Sequence, residues 1–165
     1  MQNILKYQRE IFKLLDRISS NQKHKFLKVA KEFYKAYRNN GMIYIFGTGH
    51  SHILAEEGHF RAGGFAPICP ILNSSLMLHE DTIFSSVLER TEGVASNLIK
   101  KYNIESKDIL VIFTNSGVNQ APLEAAYVAN KLKCKTVGIS SENYSKIAKK
   151  SKYKKRLSEI VDYHI

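Results

Sequence analysis

Two loops of small polar residues, Gly47 to Ser51 and Thr114 to Asn119, carry the side chains in this sequence that are best suited to holding a charged ligand. Each loop follows an apolar run, Ile43 to Phe46 and Ile109 to Thr114, that is typical of a buried parallel strand. Glycines let the first loop turn sharply, and its serine falls near a helix N-terminus, where anions bind. Because the carboxyl ends of parallel strands share one edge of a sheet, these hydroxyls and backbone amides predict a phosphate cradle there.

Spacing excludes two other phosphate-binding motifs. A dinucleotide fingerprint requires a third glycine three residues after Gly49, but His52 stands at that position. It also requires an acidic residue at the end of the next strand, where the chain has Leu72 and Asn73. A P-loop requires Gly-Lys-Ser or Gly-Lys-Thr, which the sequence lacks.

Apolar periodicity predicts the elements that position these loops. Residues 3–38 are predicted to form a hairpin of two helices, broken at Ser19 to Asn21 and ended by Asn39 to Gly41. Strands are predicted at 43–46, 66–72, 109–114, 136–140 and 160–165. Helices are predicted at 52–61, at 84–99 with an interruption or a bend near Gly93, from about Pro122, and after Asn143. This alternation predicts one α/β domain over 1–165, a three-layer, doubly wound sandwich with a five-stranded parallel sheet. Residues 1–40 would form the N-terminal helices, and 41–165 the sheet with its flanking helices.

Composition limits the class of protein. The 165 residues suit one domain, and no apolar run is long enough to span a membrane. The N-terminus lacks a signal-peptide pattern, and the two cysteines, Cys69 and Cys134, form neither a metal motif nor a disulfide framework. A cytoplasmic protein without a membrane partner is therefore expected. The net charge of +10 indicates an anionic partner.

On these two loops and their strands, the sequence resembles the SIS (sugar isomerase) domain family, over roughly Lys25 to Ile165. It is most similar to phosphoheptose isomerase-like members and to a poorly characterised subgroup with segments like Ala55 to Gly64 and Leu78 to Glu80. The resemblance implies a flavodoxin-like fold, a phosphorylated sugar as ligand, and a homodimer or homotetramer with sites between subunits. It also implies a further helix after the last strand, so the domain is expected to be truncated at its C-terminus.

The residues expected to bind the phosphosugar lie at three strand ends: Gly49, His50, Ser51, Thr114, Asn115, Ser116, Gly117, Asn119, Ser140 and Ser141. Among them, the resemblance implies that the phosphate is held by Ser51, Thr114, Ser116 and Asn119.

Catalysis would require a carboxylate. Aldose–ketose isomerisation needs a base that takes a proton from the carbon beside a carbonyl, and an acid near the oxygen. Glu57 and Glu80 are candidate bases, and His79 is a candidate acid or ring-opening group. The glutamate of similar isomerases would fall at Arg61, so a carboxylate one turn earlier, Glu56 or Glu57, would have to replace it. The alternatives are a solvated surface role for Glu57 and a helix-capping role for His79 and Glu80.

A helical face and a basic run each allow two interpretations. His52, Glu56 and His59 share one face and could bind zinc, as in some phosphoheptose isomerases, but a polar wall of a sugar pocket without a cofactor is favoured. The run from Lys146 to Arg156 has seven Lys or Arg in eleven residues and is expected to be a solvated helix. No aromatic platform accompanies it, so no nucleic-acid partner is expected.

The favoured function is an aldose–ketose phosphosugar isomerase. The alternatives are an etherase, a deaminase, or a non-catalytic sugar-phosphate sensor; the lack of a preceding helix-turn-helix domain counts against a sensor. Self-association is expected because the N-terminal helices carry more apolar side chains than one sheet face needs, including Phe12, Phe26, Phe33, Tyr34 and Tyr37.

Overall fold

A computed structural model describes all of residues 1–165 as five parallel strands flanked by helices. The strand order is β2-β1-β3-β4-β5, the flavodoxin-like order. The strands are β1 (Ile43–Gly47), β2 (Ile68–Ile71), β3 (Ile109–Phe113), β4 (Lys135–Ile139) and β5 (Tyr163–His164). The helices are α1 (Gln2–Arg38), α2 (Ile53–Gly58), α3 (Thr82–Leu88), α4 (Val94–Ile99), α5 (Gln120–Lys131) and α6 (Glu142–Ile147), with 3₁₀ turns at Gly49–His52, Ser74–Leu76 and Leu157–Glu159.

Alternate residues of the central strands pack into two separate hydrophobic cores, one on each face of the sheet, as the predicted doubly wound sandwich requires. Tyr44 and Phe46 of β1 belong to the core that includes α4 and α5, whereas Ile43 and Ile45 belong to the core that includes α1 and α2. Because side chains alternate along a strand, both faces of β1 are covered by helices. The three-layer prediction is confirmed.

The buried carboxylate of Asp108 ties the beginnings of the two central strands together. Its Oδ1 accepts a hydrogen bond from the N–H of Met42 at 2.8 Å, and its Oδ2 accepts one from the N–H of Glu105 at 2.7 Å. Only 3% of Asp108 is exposed, so both of its oxygens are used inside the protein. Two backbone donors that the sheet would leave unpaired are thereby satisfied.

The predicted N-terminal hairpin is wrong, because residues 2–38 form one helix of 37 residues. The Ser19 hydroxyl donates to the carbonyl of Asp16 at 3.0 Å, so this serine is accommodated within the helix and does not start a new one. The segment from Ser19 to Asn21 contains neither Gly nor Pro, and its propensity cost is too small to break a helix. Only Val29 and Ala36 are buried, and residues 1–21 are exposed on every side.

Other element boundaries differ from the sequence prediction at their ends. The helix after the first loop stops at Gly58, and the last strand covers only 163–164. The interruption predicted near Gly93 is confirmed as a break between α3 and α4, since Gly93 has a φ of 88°.

No helix combines the length and the apolar character that crossing a membrane requires.

The predicted basic helix is also wrong over most of its length, because α6 ends at Ile147. The Arg156 guanidinium donates to the carbonyls of Ser145 and Lys146, at 3.0 and 3.1 Å, and so satisfies acceptors at the end of α6. Ile147, the last residue of α6, is 80% exposed, so it does not pack this end of the helix against the core.

Candidate functional site

A cleft of about 690 Å³ lies at the carboxyl ends of β1 and β3, where both glycine-containing loops meet. Its volume falls within the range of small-molecule sites. The confirmed parallel pairing of β1 with β3 places Ser51 and Ser116 at the same edge of the sheet. The lining residues are Thr48, Gly49, His50, Ser51, Leu78, Glu89, Arg90, Thr114, Asn115, Ser116, Val118, Asn119, Gln120, Tyr144, Ala148, Lys149, Lys150, Ser151 and Lys152.

The first loop enters the cleft through a turn that only glycine allows. A Cβ on Gly47 would stand 2.5 Å from the carbonyl oxygen of Ser51, a contact that no side chain tolerates. The chain then forms a 3₁₀ turn in which the N–H of Ser51 donates to Thr48 at 3.0 Å. This close approach folds the loop back on itself and places Thr48 and Ser51 in the same wall.

The second loop presents hydroxyls at the N-terminus of the 12-residue helix α5. Thr114 Oγ1 accepts from the N–H of Gly117 at 3.3 Å, and Ser116 Oγ accepts from the N–H of Val118 at 3.4 Å. A hydroxyl that accepts in this way still has its own hydrogen to donate. Asn119 is the N-cap residue of α5, and the positive end of the helix dipole lies at this point. Within the first turn, the N–H of Ala121 donates to the carbonyl of Glu89 and Pro122 has no N–H, so the N–H of Gln120 is the amide that is left for an anion.

Glu89, which sequence reasoning missed, is the only carboxylate in the cleft lining. Its Oε1 accepts a hydrogen bond from the Thr48 hydroxyl at 2.5 Å, and its backbone carbonyl accepts one from the N–H of Ala121 at 3.0 Å. Glu89 is thus joined to the first loop and to the start of α5. One sequence signal could have found it: an acidic residue at the C-terminus of a helix, here α3, opposes the helix dipole and is unfavourable there.

The third predicted loop, Ser140 and Ser141, forms hydrogen bonds outside the cleft. Ser140 Oγ is hydrogen-bonded to His164 Nε2 at 2.8 Å, and Ser141 Oγ accepts from the N–H of Tyr144 at 3.3 Å, capping α6. These two serines and Gly117 do not line the cleft, although Gly117 shapes its loop with a φ of 62°. Direct contact between these three residues and a sugar stays a prediction.

None of the three predicted catalytic residues lines the cleft. Glu57 of α2 is exposed and forms an ion pair with Arg61, which follows the end of that helix. His79 and Glu80 are exposed, and the ring of His79 lies 5.6 Å from the ring of His52. Their catalytic roles stay predictions, which the cleft of this single chain does not support.

The possible zinc ligands divide into a pair and a separate residue. His52 Nε2 lies 3.2 Å from Glu56 Oε1, and His52 Nδ1 is hydrogen-bonded to the Gly49 carbonyl. His59 is instead hydrogen-bonded through Nδ1 to the carbonyl of Ile68 at 3.2 Å. No three His, Cys, Asp or Glu side chains are grouped so as to hold a metal ion, so the three residues do not fit as one zinc site.

The basic run supplies one wall of the cleft, which the sequence interpretation as a solvated helix did not anticipate. Residues 148–152 line the cleft and bring Lys149, Lys150 and Lys152 to it. Together with Arg90 from the end of α3, the cleft lining has four basic side chains and one carboxylate, that of Glu89. Such a concave surface has a positive potential that attracts anions.

Comparisons with known proteins agree with this fold. The chain is 38% identical over 161 residues to the UPF0309 protein of Geobacillus kaustophilus, covering 96% of this chain and 64% of that protein. It is 42% identical over 132 residues to the UPF0309 protein of Brucella ovis, covering 80% and 53% respectively, so the chain spans under two thirds of these relatives.

Two solved structures share the fold at low sequence identity. The phosphoheptose isomerase of Neisseria gonorrhoeae superposes with a TM-score of 0.70 at 15% identity, covering 99% of this chain and 83% of that one. The phosphoheptose isomerase of Francisella tularensis gives 0.69 at 16%, covering 99% and 82%. The SIS domain profile matches residues 6–141, most of the chain, and the chain therefore belongs to the SIS domain family.

Proposed function

We propose that this chain binds a phosphorylated sugar in the cleft between the β1 and β3 loops and interconverts its aldose and ketose forms. The observation that carries this proposal is the position of Glu89, the single carboxylate in a cleft whose other polar lining residues are mostly hydroxyls, amides and cations. The superposition on two phosphoheptose isomerases supports a sugar-phosphate ligand for the same fold.

The phosphate is assigned to the second loop. Ser116 can donate its hydroxyl hydrogen to a phosphate oxygen while its own oxygen still accepts the hydrogen bond from the N–H of Val118. The N–H of Gln120, the first residue of α5, adds a donor, and the positive end of the helix dipole lies at the same point. Asn119 and Gln120 line the cleft there and complete the polar wall.

Glu89 is assigned as the base. The hydrogen bond from Thr48 fixes Oε1, so Oε2 can take the proton from the sugar carbon beside the carbonyl and return it to the neighbouring carbon. His50 is the only imidazole that lines the cleft, and we assign it as the group that protonates the carbonyl oxygen. In these roles Glu89 and His50 take the places that the sequence analysis gave to Glu57 and His79.

Titration calorimetry with a panel of sugar monophosphates tests this proposal, with each unphosphorylated sugar as its matched control. We expect binding of at least one sugar phosphate and none of its parent sugar, followed by turnover in a coupled isomerase assay. Failure of every sugar phosphate to bind would overturn the proposal. Specific binding without turnover would instead favour the non-catalytic sugar-phosphate sensor.

Self-association through α1 belongs to the same proposal. Ile4, Ile11 and Ile18 recur every seven residues on the exposed half of this helix, and Tyr7 and Leu14 follow three residues after the first two. This seven-residue repeat is the pattern by which helices of separate subunits pack along a shared seam. A second copy of α1 offers the same pattern and is the occupant that we assign to this face.

A further inference from the structure

We propose that the cleft selects a sugar phosphate that carries a second anionic group, and that the lysine segment 148–152 recognises this second charge. This inference rests on the proposed phosphosugar function. The chemistry of the second group is that of a carboxylate or another phosphate, because a lysine ammonium binds either as a point charge.

The first supporting observation is that the phosphate site assigned above does not use these lysines. The second loop offers the hydroxyls of Thr114 and Ser116 and the positive end of the α5 dipole to that phosphate. The basic side chains Lys149, Lys150 and Lys152 stand on another segment of the lining, and Arg90 stands on a third. A single phosphate therefore leaves cationic side chains of the cleft without an anion.

Neighbouring carboxylates neutralise this segment only in part. Lys152 Nζ lies 2.7 Å from Glu92, and Lys150 Nζ lies 3.8 Å from Glu159, the far limit of an ion pair. Lys149 has no carboxylate partner, and it lines the cleft. Among the three lysines of this segment, Lys149 is thus the one that is most available to an anionic ligand.

The lysine segment is built into the site by backbone contacts with the second loop. At one end, the N–H of Ser141 donates to the carbonyl of Asn115 at 3.1 Å, and at the other, the N–H of Leu157 donates to the carbonyl of Gly117 at 2.7 Å. The stretch between these anchors passes the cleft, and both anchors lie on the loop that is assigned to the phosphate. The fold therefore holds both ends of the stretch that carries the lysines against the phosphate loop.

Calorimetry with three probes tests the inference: fructose 6-phosphate, fructose 1,6-bisphosphate and 6-phosphogluconate. We expect one of the two doubly anionic probes to bind the unaltered chain about tenfold more tightly than the monophosphate, since one charge-assisted contact has that worth. Preference for the bisphosphate identifies the second group as a phosphate, and preference for 6-phosphogluconate identifies a carboxylate.

The variant Lys149→Gln/Lys150→Gln should lose that preference while its affinity for the monophosphate changes by less than about threefold. Lys155→Gln is the matched control, because Lys155 is exposed on the same basic run but does not line the cleft. Equal affinity of the unaltered chain for all three probes would overturn the inference and leave the phosphosugar function standing. A parallel loss for all probes in the double variant would also overturn it, because the lysines would then only attract anions in general.

Discussion

The Thr48 hydroxyl donates a 2.5 Å hydrogen bond to Oε1 of Glu89, two residues that lie 41 positions apart in the chain. This bond connects the end of β1 to the end of α3 and fixes the orientation of the only carboxylate in the cleft. The two candidate bases therefore differ in position: Glu89 lies in the cleft, whereas Glu57 is paired with Arg61 outside it.

Glu89→Gln should abolish most of the turnover while phosphosugar binding persists. The amide keeps the shape of the carboxylate but cannot take a proton, and a positioned base contributes about 10²–10⁴-fold to the rate. The measurement is kcat from a coupled isomerase assay, beside affinity from calorimetry. Glu57→Gln is the matched control and should keep its turnover. Active Glu89→Gln together with inactive Glu57→Gln would return the base to α2.

Ser116→Ala should weaken the binding of a sugar monophosphate by about ten- to a hundredfold, because a hydrogen bond to a charged group contributes roughly 1.5–3 kcal/mol. The change is small and the loop is anchored at Gly117 and Asn115, so the unfolding midpoint should stay close to that of the parent chain.

Ser140→Ala serves as the comparison, since Ser140 is hydrogen-bonded to His164 and does not line the cleft. It should leave the affinity unchanged, a result that would also count against the sugar contact predicted for Ser140 from the sequence. An equal loss of affinity in both variants would contradict the assignment of the phosphate to the second loop.

Ile11→Lys should dissociate the self-associated chain into monomers, because it places a charge in the apolar seam of α1. Light scattering coupled to size-exclusion chromatography measures the mass directly. Lys13→Gln alters the polar side of the same helix, where Lys13 pairs with Glu10, and should leave the mass unchanged. A monomeric parent chain at high concentration would refute the assignment of a second copy to this face.

His164 should make the folded state sensitive to mild acid. Burial and the nearby charge of Lys25 lower the pKa of His164 below its usual 6.5, against a smaller opposing effect of Glu142. The unfolded chain therefore binds this proton first as the pH falls, so the stabilisation is full above about pH 6.5 and is lost as the pH drops through the pKa of the folded state.

Urea unfolding at a series of pH values measures this dependence. His164→Gln should flatten the decline in the free energy of unfolding below about pH 6.5. His24→Gln, which changes an exposed histidine of α1, should keep the decline. An unaltered slope in His164→Gln would assign the acid sensitivity to another group.

The sequence predicted the parts of this molecule that depend on local patterns. Continuous apolar runs identified the central strands, and glycines after them identified both loops, because a buried parallel strand and a tight turn each leave a local signature. The N-terminal hairpin was wrong because polar residues such as Ser19 can stay within a long helix. Helical propensity alone does not decide where such a helix breaks.

The missed site residues depend on contacts between distant segments. Glu89 enters the cleft because α3 ends beside Thr48 and α5, and neither neighbour is near it in sequence. The lysines at 149–152 line the cleft because α6 stops early and the chain returns to the second loop at Gly117. Charge and periodicity describe a surface, but they do not show which cavity that surface borders.

The carboxylate of Asp108 has a kinetic consequence. It binds the N–H of Met42, 66 positions earlier, at the point where β1 and β3 begin to pair. Closing so long a loop costs chain entropy before the strand contacts can compensate for it. Because the central pair of the sheet joins segments so distant in sequence, we expect the chain to fold more slowly than a helical bundle of equal length.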